Sequence, residues 1–177
     1  MIRNFMDECW KMNVIDTHRT AKTSWQAVFF SKATLSPCLP EKLSNFREAV
    51  QNKLGKELPD DYLFFLGCLN GYNDGERMIY GTTSLFQKAT YRLIYGLLEM
   101  NIEYFHYLCD GLVIGECGHD LLTFDARQTK PYAIESRYGY AKARYHTLDD
   151  LLNAIVMKKE EKHMLRQPAN SCFEEGR

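Results

Sequence analysis

No apolar run in this chain is long enough to cross a bilayer: stretches such as Tyr62–Leu66 fall far short of the roughly 20 residues a spanning helix needs. Net charge is nearly absent, −1 from 22 Lys and Arg against 23 Asp and Glu. Bulk electrostatics therefore favours neither nucleic acid nor an acidic membrane surface. The six cysteines (Cys9, Cys38, Cys68, Cys109, Cys117, Cys172) contain no CxxC pair, so neither zinc nor dithiol chemistry is signalled. His18, His106, His119, His146 and His163 show no HxxxH spacing. The glycines form neither a P-loop nor GxGxxG, and Ser84 and Ser136 sit in no nucleophile-elbow motif. Catalytic residues, metal ligands and cofactor are therefore all expected to be lacking. Repeats, low-complexity tracts and heptads are missing too. Asp7 and Glu8 fall where the apolar core of an export signal would begin, so a cytoplasmic chain with free thiols is expected.

What is present is the composition of one ordinary globular domain: 177 residues, 45% apolar and 25% charged. The most informative stretch is Leu54–Gly75, LGKELPDDYLFFLGCLNGYNDG. Proline is tolerated at a first helical position, which places Pro59 at the start of a helix. Asp60 and Asp61 then meet the positive end of the helix dipole. Tyr62, Phe65, Leu66 and Leu69 recur at helical spacing as a buried stripe, with Cys68 as a small buried hydrophobe. Asn70-Gly71 reads as a left-handed stop. Such a helix builds core.

Before it, Leu43, Phe46, Val50 and Leu54 predict an amphipathic helix over roughly Pro40–Leu54, preceded by a break at Ser36–Pro40. Asp7–Val14 suits a short helix, and Trp25–Phe30 suits a strand or a helical turn. Asn70–Glu76 reads as a loop and Met78–Tyr80 as a short strand closed by Gly81. For Thr82–Leu108 a helix over about Tyr95–Tyr107 is expected, weakened by Gly96 by about 1 kcal/mol relative to Ala; Ala89–Tyr95 is open to strand. Gly111–Glu116 and Asp120–Asp125 are β-prone runs around a hairpin tip, and Lys130–Glu135 is a third strand with Pro131 at its start. Thr147 caps a last helix from Leu148 to about Lys159, with Asp149 and Asp150 in its first turn. Helices, a meandering antiparallel sheet and a closing helix make an α+β fold.

The run L-G-x-x-L-P-x-D-Y (Leu54–Tyr62), framed by two helices and ending in Asn70-Gly71, resembles the opening motif of the SUKH superfamily, bacterial immunity proteins related to fungal cell-wall-synthesis regulators. Met78–Gly81, Leu112–Gly115, Asp120–Asp125 and Tyr145–Leu152 agree in order, so the resemblance covers about Leu43–Val156. It implies helices packed on one face of a mostly antiparallel sheet. The chain then divides into an extension packed on the same domain (1–40), a SUKH-like domain (41–157) and a tail of continued helix and disorder (158–177). It also implies a non-enzymatic cytoplasmic protein that binds a cognate toxin and blocks it by occlusion, or a regulatory interaction adaptor.

Two surfaces compete for a partner. Tyr72, Asn73, Asp74 and Glu76 follow the helix stop in a loop expected to be exposed, in a stretch where Lys56 alone opposes Glu57, Asp60, Asp61, Asp74 and Glu76. A polar turn is the plain alternative there. Glu116, His119 and Asp120 flank the hairpin tip. A Cys117–His119 nucleophile pair is conceivable, but a wet tip with alternating side chains neither activates a thiol nor excludes water. A nuclease toxin with a basic cleft would meet the acids near Asp60, Asp74, Glu116 and Asp120. The alternative face is basic: Arg127, Lys130, Arg137, Lys142 and Arg144 oppose Glu135 alone and interleave with Tyr132, Tyr138, Tyr140 and Tyr145. That pattern suits solvated strand edges, a protein contact, or single-stranded nucleic acid held by phosphate contact and stacking. The neutral balance of the whole chain argues against the last.

Overall fold

The computed structural model describes residues 25–32, 37–87, 91–105 and 111–164 (of 30–32 and 158–164, the backbone alone). The expected helix over Asp7–Val14, His18, His106, Cys9, Cys109, Cys172 and the tail beyond Met164 lie outside them. Among the described residues five helices, α1 (Trp25–Lys32), α2 (Pro40–Leu54), α3 (Asp60–Cys68), α4 (Leu97–Glu103) and α5 (Leu148–Met164), accompany two antiparallel sheets. The larger has six strands in the order β1 (Tyr72–Asn73), β2 (Arg77–Ile79), β5 (Leu112–Cys117), β6 (Asp120–Phe124), β7 (Tyr132–Ser136) and β8 (Ala141–Tyr145). The smaller pairs β3 (Leu85–Gln87) with β4 (Arg92–Ile94). The fold is α+β, with helices packed against the sheet.

Local chemistry sets most helix boundaries. Pro40 opens α2 and Gly55, at φ +66, closes it, its N–H reaching Gln51 O at 2.9 Å. Asp60 and Asp61 occupy the first turn of α3, with Pro59 one step outside as its N-cap. Thr147 caps α5: its Oγ1 accepts from Asp150 N at 3.1 Å and donates to Asp150 Oδ2 at 2.8 Å. That helix continues to Met164, past the expected end near Lys159.

Four expectations are corrected. Leu69, after α3, is extended (φ −153), so Asn70-Gly71 is no helix cap. Gly71 has φ +93, and a Cβ there would stand 2.6 Å from Ile94 Cγ2 and 3.0 Å from Gly81 N, so both backbone and space call for glycine. Asn70–Glu76 is not all loop, because Tyr72–Asn73 pairs with β2. The helix expected over Tyr95–Tyr107 begins only at Leu97: Gly96 is its N-cap, with its N–H given to Glu99 Oε2 at 3.2 Å, and β4 precedes it. Strand β8 was not anticipated: Ala141, Lys142, Ala143 and Arg144 alternate apolar and polar, but alanine and lysine are residues depleted in strands. The segment at Trp25 resolves as helix.

Cross-strand register sorts the sheet into two faces. The rows Leu112–Phe124–Tyr132–Tyr145 and Leu122–Ile134–Ala143 face the helices. Asp61 of α3 ties that side together by accepting from Tyr132 Oη and from Leu148 N at 3.0 Å. Tyr62 Oη donates to Tyr80 O at 2.6 Å from the same side. The opposite face carries a row through five strands, Asn73–Met78–Glu116–Leu121–Glu135. Where β2 ends, Asn101 of α4 takes over the edge of β5. Its Nδ2 donates to Val113 O at 2.7 Å and its Oδ1 accepts from Val113 N at 2.9 Å, satisfying both backbone groups. Trp25 and Phe29 belong to the same core: Trp25 Nε1 donates to Asp149 Oδ1 at 2.7 Å, and Phe29 is fully buried.

Candidate partner-binding surface

The turn Tyr72–Arg77 is built around one carboxylate. Asp74 Oδ1 accepts from Glu76 N (3.1 Å) and Arg77 N (2.9 Å), while Oδ2 accepts from Arg77 Nε (3.0 Å), Arg77 Nη2 (2.5 Å) and Tyr72 Oη (3.2 Å). The Arg77 and Asp74 side chains are 2% and 7% exposed. The guanidinium lies 5.6 Å from the Phe29 ring centroid and 6.0 Å from that of Tyr72, and the two rings stack at 4.0 Å. Burial alone would raise the Asp74 pKa, but the Arg77 hydrogen bonds and charge outweigh it and hold the group at about 2. Burial, reinforced by Asp74, pushes the Tyr72 hydroxyl upward.

The exposed contact loop expected here is therefore corrected for Tyr72 and Asp74, whose side chains are interior. Asn73 is half-buried, its Nδ2 donating to Leu93 O at 2.7 Å, and Glu76 is exposed.

The acidic and basic sets anticipated as alternatives interlock at Glu116 and Asp120. Arg137 Nη2 meets Glu116 Oε2 at 2.6 Å, Lys142 Nζ meets Asp120 Oδ1 at 2.5 Å, and Arg144 Nη2 stands 3.6 Å from Glu135 Oε1. Arg127 pairs with Asp125 at 2.9 Å, and its hydrogen bonds are the largest cause of the Asp125 pKa falling to about 2. Only Lys130 of the five basic residues is exposed without an ion pair among the described residues. These pairs are largely solvated on the basic side, where each contributes about 0–1 kcal/mol. Their consequence is electrostatic: these charges are neutralised internally. His119 stands exposed in a two-residue turn behind Gly118, which takes φ +61. Among the described residues no group of three or more His, Cys, Asp or Glu side chains is placed to hold a metal.

Glu116 differs from the other acids. Its Oε1 accepts from Tyr80 Oη at 2.8 Å, and Tyr80 is wholly buried, so the carboxylate is held from beneath as well as paired from outside. It lines a cleft of about 430 Å³ together with Asn73, Glu76, Met78, Tyr95, Met100 and Tyr104. Three of the anticipated partner-contact residues, Asn73, Glu76 and Glu116, thus meet at one place. Asp120 and His119 are not among the residues lining it.

Sequence reasoning left the β4 segment open to strand but missed β3 and the hairpin the two form. Phe86 (58% exposed) and Tyr91 (84% exposed) contact edge to face, 6.4 Å between centroids, beside partly exposed Leu85 and Leu93. Tyr91 has φ +53, the one positive value outside glycine among the described residues. Beside this hairpin a second, mainly apolar cleft of about 760 Å³ runs between α2 and β3, lined by Leu39, Phe46, Leu85 and Leu98 with Lys42 on it. The available signal was the crowding of Leu85, Phe86, Tyr91 and Leu93 into a short polar stretch. No protein-family model, curated protein or solved structure matches the chain.

Proposed function

We propose that this chain is a binding protein that acts by covering a face of a protein partner. The partner is a toxin, as the SUKH resemblance implies, neutralised in the cytoplasm by occlusion without covalent chemistry. The β3–β4 hairpin is the observation that carries the reading. An exposed cluster of Leu85, Phe86, Tyr91 and Leu93 has no role in the core, and exposed apolar patches of this kind mark contact surfaces. Tyr91 projects its ring from a left-handed backbone conformation that disfavours a side chain by roughly 1–2 kcal/mol, and such strain is concentrated at functional sites. Tyrosine on a short hairpin is also the residue type on which interface energy concentrates. A nuclease with a basic substrate cleft would meet Glu116 by displacing Arg137 from it. Single-strand binding through Arg127, Lys130, Arg137, Lys142 and Arg144 is less well supported, since four of these five are committed to carboxylates.

The test is titration with the toxin encoded beside the gene. A micromolar or tighter complex is expected, weakened about tenfold or more by Phe86→Ser or Tyr91→Ser. No complex removes the immunity reading; a complex indifferent to both variants removes the hairpin from it.

A further inference from the structure

The cleft beside Glu116 has a chemistry of its own. Met78 and Glu116 are direct cross-strand neighbours on the sheet face opposite the Leu112–Phe124–Tyr132 row. Tyr95, Met100 and Tyr104, from before, within and after α4, form the opposite wall. The charged residues along it are Glu76, Glu116 and Arg77. Strand alternation sends the Arg77 side chain to the other face, where Asp74, Phe29 and Tyr72 hold it. The cleft is left with the Glu116 carboxylate, two tyrosine rings and two thioethers, with the Arg92 guanidinium beside Gly75 at its rim, and the ring and carboxylate pairing suits a flat, weakly hydrated cation at Glu116. About 430 Å³ is ample for one side chain.

Glu116 already shows how it takes such a group. Tyr80 fixes one oxygen, and the other accepts the half-exposed guanidinium of Arg137 at 2.6 Å. We propose that this cleft receives an arginine side chain of the protein partner, with Glu116 as its carboxylate, Tyr95 and Tyr104 as its aromatic walls, and Arg137 as the internal guanidinium it displaces. The assignment rests on the partner-binding reading above and names what the partner must present. Arginine is preferred to lysine because its planar group stacks on a ring and meets a carboxylate oxygen edge-on, whereas an ammonium is a compact, strongly hydrated charge. Arg137 is a competitor in this arrangement, so its removal strengthens binding, the reverse of what a basic contact residue would do.

The experiment needs no partner. Nα-acetylarginine amide is titrated into the full chain while the Met78 and Met100 methyl resonances are followed by NMR, with the neutral citrulline analogue as control. Saturable shifts in the millimolar range are expected with arginine and none with citrulline. Glu116→Gln, which still accepts from Tyr80, abolishes them, and Tyr104→Ala, at an exposed position, weakens them. Arg137→Ala strengthens binding by up to about fivefold, the release of one exposed ion pair. Equal shifts with citrulline, wild-type titration by Glu116→Gln, or weaker binding by Arg137→Ala would each overturn the proposal. Probe binding without hairpin-dependent capture of the toxin sinks the partner reading and leaves the cleft; capture without a probe response does the opposite.

Discussion

Replacing Arg77 by methionine tests whether the Tyr72–Arg77 turn is held by its buried ion pair. The substitution keeps an unbranched apolar stem against Phe29 and Tyr72 but takes from Asp74, only 7% exposed, the guanidinium paired with it. Breaking a buried pair from one side costs about 3–5 kcal/mol, and the lost contact with two rings adds about 0.5–1 kcal/mol. A loss of about 4 kcal/mol is a large share of the 5–15 kcal/mol that holds a domain of this kind together. Urea unfolding followed by circular dichroism at neutral pH reads it directly. Asp74→Asn keeps the acceptor for the Glu76 and Arg77 backbone N–H groups but strands the guanidinium, so the double variant is less destabilised than the two singles summed.

Acid supplies an independent measurement of the same pair. The Asp74 pKa is depressed in the fold, from 3.8 to about 2, so its contribution is complete above the unfolded value and is lost as pH falls through the folded one. The difference in unfolding free energy between wild type and Asp74→Asn is therefore flat above about pH 5 and shrinks by about 2 kcal/mol on reaching about pH 2. An Arg77→Met cost below about 1 kcal/mol, or a flat difference through the acid range, would refute the reasoning.

Two further substitutions probe how the sheet is closed. Asn101→Leu removes the side chain that serves both backbone groups of Val113, leaving a buried N–H and C=O unpaired; a loss of about 2–3 kcal/mol is expected, with faster amide exchange at Val113. Gly115→Ala places a Cβ 2.2 Å from Met78 O, which pushes β2 from β5; destabilisation of about 2–3 kcal/mol by urea titration is expected, and a neutral result would show that the strands can separate without loss.

Much of the architecture was legible because it depends on neighbours in the chain. The helical spacing of Leu43, Phe46 and Val50 exposes a buried stripe, and Thr147 followed by two aspartates marks a helix start. The Gly118-His119 turn between two β-prone runs marks a hairpin. Where local cues misled, a long-range contact had taken the residue for another purpose. Gly71 looked like a helix cap and serves the close approach of Ile94 and Gly81. Gly96 looked like a weak point within a helix and caps it, with Ser84 Oγ accepting its N–H at 3.0 Å.

The candidate site was legible only in part. Asn73, Glu76 and Glu116 were picked out by charge and loop position, and all three line the cleft. Tyr72 and Asp74 were picked out on the same grounds and are interior, because Arg77 supplies the countercharge that lets a carboxylate be buried. Tyr95 and Tyr104 carried no signal of their own, since helical periodicity places tyrosines without saying what they face.

The sequence by itself determined helices α2, α3 and α5 with the starts of α2 and α5, the central hairpin and the mixed class of the fold, because hydrophobic period and end chemistry act over a few residues. Tertiary structure alone decided what the charges do. Glu116 and Arg137 are 21 residues apart, Asp120 and Lys142 are 22 apart, and Asp61 and Tyr132 are 71 apart. Their pairing follows from which strands and helices lie side by side. That adjacency pairs the acids with the basic residues and leaves Glu116 oriented at the edge of a cleft.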